Sequence, residues 1–191
     1  MSDADSMPVP ELRTERLVLR GIQQEDVEAY YQRLFADPEV MRYLPGGEPL
    51  PRERLEGLVE RSRGHWVQHG FGVWVACDAT SGDVIGQCGL RYLDEVGETE
   101  VLYAYARPTW GKGIATEGAR AALDFGFAQT SLQRIVAYAV PANRASTRVM
   151  EKIGMRYEAE DHLFDLDLAR YAISREEWEA ASGQREAASG R

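Results

Sequence analysis

Residues Arg107 to Leu123 read RPTWGKGIATEGARAAL, and the chemistry written into them is anion binding. Gly111 and Gly113 flank Lys112, and Ala115 and Thr116 follow where a helical pattern begins. The first amides of a helix have no intrahelical acceptor and carry partial positive charge. Glycine admits positive φ and lets a ligand approach the main chain. The N–H groups of Gly111, Lys112, Gly113, Ala115 and Thr116 can therefore cradle a phosphate cluster. A ligand-free strand-to-helix turn would also use glycine. Two glycines around one residue, with a small residue two further on, favour the ligand. A Walker loop is excluded, because a glycine follows Lys112 and none stands four residues before Gly111. A Rossmann fingerprint fails at its sixth position, where Thr116 stands, and lacks the ribose-binding acid.

Other reactive side chains are sparse. His65 and His69 have helical i,i+4 spacing, but no Glu follows His65 and no third ligand is evident. They read as a surface pair, and no metal is expected. Cys77 and Cys88 fall in strand-like runs and read as buried free thiols. The net charge of −9 suits a cationic or amine-bearing partner and argues against a nucleic-acid partner. No apolar run approaches a membrane span, so no membrane partner is expected. The polar, acidic start is no secretory signal, and a cytoplasmic address follows by default.

The elements that must position the glycine loop can be read on either side of it. LRTERLVLRGI reads as a first strand, Gln24 to Ala36 as a helix with Val27, Tyr30, Tyr31 and Leu34 on one stripe, and 44–51 as a Gly/Pro loop. A second helix is expected over about Arg52 to Gln68. Runs 71–78, 84–93 and 99–106 form an antiparallel meander. The helix from Gly113 to Ala128 carries charge only at Glu117, Arg120 and Asp124, so most of its girth is buried. A strand over 133–140 then runs parallel to 99–106 across the crossover. Asn143 caps a short helix that Gly154 ends. MRYEAE and LDLARYAI are the last strands, and SREEWEAA is a short terminal helix. Residues 1–10 are expected to be a flexible lead, 11–180 a single domain, and 181–191 a flexible tail.

W-G-K-G-I-A resembles the [QR]-x-x-G-x-[GA] pyrophosphate loop of the GNAT acyltransferase superfamily, with Trp110 where many members carry Gln or Arg. EVLYAYARPTWGKGIATEGARAALDFGF, taken with VPANRASTRVMEKIGM, is similar to the RimJ/RimL branch, typified by ribosomal-protein N-terminal acetyltransferases. The likeness spans about Leu12 to Trp178. It implies an α/β (α+β) GNAT fold in one mixed sheet: antiparallel N-terminal strands, a central splayed parallel pair and flanking helices. It also implies acetyl-CoA as co-substrate, with no metal, and a primary amine as acceptor, either a protein N-terminus or a small amine. A homodimer is common among such relatives.

By the same resemblance the pantetheine arm lies between VLYAYA and RIVAYAV, pairing with main chain near Tyr105, Ala106 and Arg107. Asn143 would hydrogen-bond that arm as well as cap its helix. Ser146 would face the CoA sulfur and protonate or orient the leaving thiolate, or serve only as a second capping group. Tyr103 and Tyr138 are alternative acids, although strand tyrosines usually serve packing. An alkylammonium has a pKa of about 10, so a base must take its proton. Glu100 stands where the family carries an acid near the acceptor; an exposed strand acid is the other reading. Glu117 falls in a first helical turn and is assigned to structure. A backbone N–H near Ala106 would meet the oxyanion. The acceptor pocket would come from YLPGGEPL and the first two helices, with Trp66, Trp74 and Tyr92 as walls; Arg42 and Tyr43 have no clear role. Acidic charge gives a weak preference for basic peptides or polyamines. Direct acetyl transfer is the favoured activity, and a non-catalytic acyl-CoA sensor is the alternative. A CoA-release assay over an amine panel separates the two.

Overall fold

The computed structural model describes residues 9–189. Its centre is an eight-stranded mixed sheet in the order β1-β2-β3-β4-β5-β6-β8-β7. The strands are β1 (Leu12–Arg13), β2 (Leu17–Arg20), β3 (Val73–Asp78), β4 (Val84–Leu93), β5 (Glu98–Tyr105), β6 (Arg134–Ala139), β7 (Arg156–Leu163) and β8 (Leu166–Ser174). Neighbours are antiparallel except β5 and β6, which run parallel. The expected meander and parallel pair are both present.

The segment read as one first strand is a hairpin, because Thr14 bonds Leu17 through its hydroxyl and its amide and turns the chain. The expected first helix is irregular. A 3-10 turn leads into α1 (Val27–Tyr30), a π-helical turn occupies Tyr31–Phe35, and α2 (Pro38–Met41) restarts after Asp37. The longer helices are α3 (Leu55–His69), α4 (Ile114–Gln129), α5 (Arg144–Lys152) and α6 (Arg175–Ser189). The last one continues through residues expected to form a loose tail. At the other end, residues 1–8 of the expected lead lie outside the described residues. Val9 packs on the core, and the Pro10 carbonyl accepts the Trp74 indole N–H at 2.7 Å, so order begins ahead of residue 11.

The sheet separates two cores. One lies against α4 and includes Trp74, Leu90, Leu123 and Ile135. The other lies under α1, α2 and α3 and includes Leu34, Met41, Leu55 and Val75. The small residues of α4 let it sit close to the sheet. A Cβ on Gly118 would stand 2.1 Å from Tyr105 Oη, and one on Gly126 would stand 2.7 Å from Leu90 Cδ1. The helix's three charged residues each tie it to a neighbour. Glu117 binds Arg16 and Thr14, Arg120 reaches Lys152 O, and Asp124 accepts from the Trp178 indole.

Candidate active site

Where β5 meets β6, the register between them among the described residues is Glu100↔Val136 alone. Beyond it β5 continues to Tyr105 and β6 to Ala139, and the strands part. Backbone parity says what faces the gap. The Ala106 N–H donates to Ile85 O at 2.9 Å, and β5 pairs with β4 in one continuous register. Antiparallel strands alternate bonded and non-bonded pairs, so even-numbered residues of β5 spend their amides on β4. The N–H groups of Tyr103 and Tyr105 therefore turn toward β6. Of the backbone N–H groups near Ala106 expected to meet an oxyanion, that of Ala106 itself is already used, and the Tyr105 carbonyl takes the Trp110 indole N–H at 2.6 Å. The Ala106 and Arg107 carbonyls close the 3-10 turn that follows.

That turn delivers the glycine loop. Gly111 and Gly113 hold φ of 74° and 79°, the left-handed region that other residues enter only under strain. Gly113 precedes α4, and no side chain among the described residues caps the helix. The first bond of the helix runs from Glu117 N–H to Gly113 O at 3.1 Å, so the amides of Ile114, Ala115 and Thr116 come before it. Arg16 braces the loop by donating to Lys112 O at 2.7 Å and pairing with Glu117. Burial would raise the Glu117 carboxyl, but bonds from Thr14 and Arg16 hold it below the usual carboxylate range. The structural assignment of Glu117 thus has its partners. Lys112 is exposed. An uncapped helix start and an open strand edge fit a ligand with a diphosphate and an amide-bearing arm.

One cavity of about 560 Å³ joins the gap to the α1–α3 side of the sheet, and Glu100, Tyr103, Tyr138, Asn143 and Ser146 all line it. Glu100 is buried, and its Oε1 accepts from Arg91 Nε at 2.8 Å, a cross-strand pair set by the Arg91↔Glu100 register. Burial lifts the Glu100 carboxyl above its usual range, against the pull of the Arg91 charge. Across the gap, Asn143 Oδ1 accepts the Ser146 N–H at 3.2 Å, the cap expected of it. Tyr103 Oη lies 3.1 Å from Ser146 Oγ and donates to Ser146 O at 3.0 Å. Burial pushes the Tyr103 phenol well up. The Tyr138 hydroxyl is buried with no hydrogen-bond partner among the described residues.

Two of the expected acceptor walls are not walls. Trp74 is fully buried and Trp66 nearly so, packed edge-to-face on each other and on Phe125 in the α4 core. Tyr92 and Tyr43 do line the cavity; Arg42 stacks on Tyr43. His65 is not a surface residue. One ring nitrogen bonds Phe71 O and the other accepts the Tyr92 N–H, each at 2.9 Å, so it staples α3 to β4. Arg91, which sequence reading did not single out, lines the same cavity and is the partner of Glu100.

A family model described as Acetyltransferase (GNAT) domain matches residues 16–156, and the chain belongs to that family. The uncharacterized protein YkkB of Bacillus subtilis is 35% identical over 164 residues, 84% of this chain and 93% of YkkB. YdaF of the same organism, provisionally named a ribosomal N-acetyltransferase, is 33% identical over 105 residues, 51% of this chain and 57% of YdaF. The crystal structure of an acetyltransferase from Agrobacterium tumefaciens superposes with a TM-score of 0.76 at 29% identity, covering 87% of this chain and 95% of that one. The protein is an acetyl-transferring enzyme, and acetyl-CoA is the co-substrate of its family.

Proposed function

We propose that this enzyme moves an acetyl group from acetyl-CoA directly onto a primary amine, within a ternary complex, and that it belongs to the RimJ/RimL branch. The observation that carries the reading is the shared cavity, with the Glu100 carboxylate on one side of the strand gap and the Ser146 hydroxyl on the other. The W-G-K-G-I-A-T-E loop and the likeness to YdaF support the branch. Amine acetylation in the cytoplasm fits a chain in which, among the described residues, no helix is long and apolar enough to cross a membrane.

Bound acetyl-CoA supplies the reactive thioester. The amides from Gly111 to Thr116 hold its diphosphate, with Lys112 adding charge nearby. The main chain of Tyr103 and Tyr105, with Asn143, holds the arm; Ala106 and Arg107 shape the turn that leads to the loop. Glu100 takes the proton of the acceptor ammonium. Arg91 donates both of its bonds to Oε1, which leaves Oε2 to meet the amine or an intervening water. A carboxyl raised by burial is the better base near neutral pH. Ser146, held by Asn143 and Tyr103, donates a hydrogen bond that orients the departing thiolate, and the proton that the attacking nitrogen sheds as the amide forms converts that thiolate to the free thiol.

Direct transfer is supported by the cysteines. Cys88 is fully buried with its thiol pushed up to about 12, and Cys77 is buried and raised, so neither is a poised nucleophile. The test is thiol release from acetyl-CoA over an amine panel. Glu100→Gln should lower kcat by about 10²-fold or more while CoA affinity stays within a few-fold. An unchanged kcat would remove Glu100 from the mechanism.

A further inference from the structure

The chain's charge of −9 suggests polycationic acceptors, but the cavity does not share that sign. Among its described lining residues Glu100 is the one carboxylate, and Arg91 already neutralises it. Arg61 also lines the cavity, and His65 is locked as a neutral ring between two backbone partners. A second ammonium would lose its hydration here, find no acid, and face two guanidinium groups. The opposite wall is apolar: Phe35, Met41, Leu44, Leu50 and Leu58.

The hairpin between β7 and β8 brings a strained tip to this cavity. Phe164 and Asp165, the turn between β7 and β8, hold φ of 55° and 59°. That conformation suits Gly or Asn and costs a phenylalanine about 1–2 kcal/mol. The ring at that tip is not in open water. Phe164 is half-buried, lines the cavity, and lies 5.8 Å from the Arg91 guanidinium, within cation–π range. Two positive φ values are the geometry of a two-residue hairpin turn, and here that turn sets a bulky ring at the cavity beside the residue that holds Glu100.

We propose that the acceptor is a monoamine with an apolar body, an arylalkylamine or alkylamine, and that Phe164 is the residue that clamps that body. The proposal rests on the amine-acetylating reading of the same cavity. The amine nitrogen meets Glu100, the apolar body lies along the Phe35–Leu58 wall, and the Phe164 ring covers it from the hairpin side. Phe164 is a specificity-determining residue, distinct from the proton-transfer groups.

The test compares 2-phenylethylamine with 1,5-diaminopentane at saturating acetyl-CoA, with coenzyme A binding measured separately by calorimetry. The expected kcat/KM favours 2-phenylethylamine by about tenfold or more. Phe164→Gly should raise the KM for 2-phenylethylamine by roughly 5–10-fold, leave kcat unchanged, and keep or raise Tm, because glycine suits φ of +55°. Equal or better use of the diamine would overturn the proposal. So would a Phe164→Gly variant that loses kcat at unchanged KM. If coenzyme A binds but neither amine is acetylated, the acceptor class is wrong while the thioester site stands. If coenzyme A does not bind at all, the functional reading falls with it.

Discussion

Replacing Arg91 with Met should move the acid limb of the kcat–pH profile upward by about one pH unit. Methionine keeps length and packing but removes the charge. Glu100 must be ionised to accept a proton, so any change that raises its carboxyl leaves less base at a given pH. Burial already raises it, and Arg91 is the partner that pulls the other way. An opposite charge in contact lowers a carboxyl by roughly 1–3 units. The Arg91 side chain is 43% exposed, so water screens it and the lower end of that range applies. On the acid limb, one unit is roughly a tenfold loss of rate at fixed pH. The assay is thiol release at saturating acetyl-CoA and amine, because kcat reports the groups of the bound complex. Arg91→Lys, which keeps a charge but loses the fork, should move the limb less. An unmoved limb in a folded Arg91→Met variant would refute the coupling of Arg91 to the titrating group.

Two further predictions concern the scaffold. Gly118→Ala puts a methyl against Tyr105 Oη at 2.1 Å and should destabilise by about 1–3 kcal/mol, read as a fall in Tm. Tyr105→Phe should largely rescue it, since the remaining ring and Leu17 contacts lie at 3.3–3.4 Å and the Tyr105 hydroxyl has no partner among the described residues; a double variant no better than Gly118→Ala would reject this packing. Glu117, held below its unfolded value, contributes stability that is full above that unfolded value of 4.5 and is lost as pH falls through its lowered value. Glu117→Gln should therefore lower Tm by roughly 3 °C or more at pH 7, with the gap closing toward pH 3; a gap independent of pH would contradict the assignment.

The parts of this fold that were legible in the sequence are those in which local pattern and tertiary role coincide. The glycine-to-helix switch at Gly111–Thr116, the Asn143 cap and the parallel pair around α4 each carry their own local signal. Residues whose roles come from distant partners were not legible. Trp74 sits in the apolar strand β3, where only the face it occupies decides between core and pocket wall; Trp66 lies on the largely polar α3, and only its packing on Trp74 and Phe125 assigns it to the core. Ala106 lies in the expected place, but the Ile85 register, not its type, spends its amide. Arg91 had a usable signal. Once the turn between β4 and β5 pairs Leu93 with Glu98, Arg91 falls opposite Glu100 and forms a favourable cross-strand charge pair. The Phe164–Asp165 turn carried only half a signal: Asp tolerates positive φ, but a phenylalanine beside it is not a usual choice for a two-residue turn. The extension of α6 likewise follows no apolar stripe.

Amide hydrogen exchange with and without coenzyme A reads the proposed diphosphate and arm contacts residue by residue. Slowed exchange on binding is expected at Lys112 to Thr116 and at Tyr103 and Tyr105, the groups assigned to diphosphate and arm. Saturation with coenzyme A while exchange at those amides stays unchanged, or protection confined to another face of the sheet, would contradict that assignment.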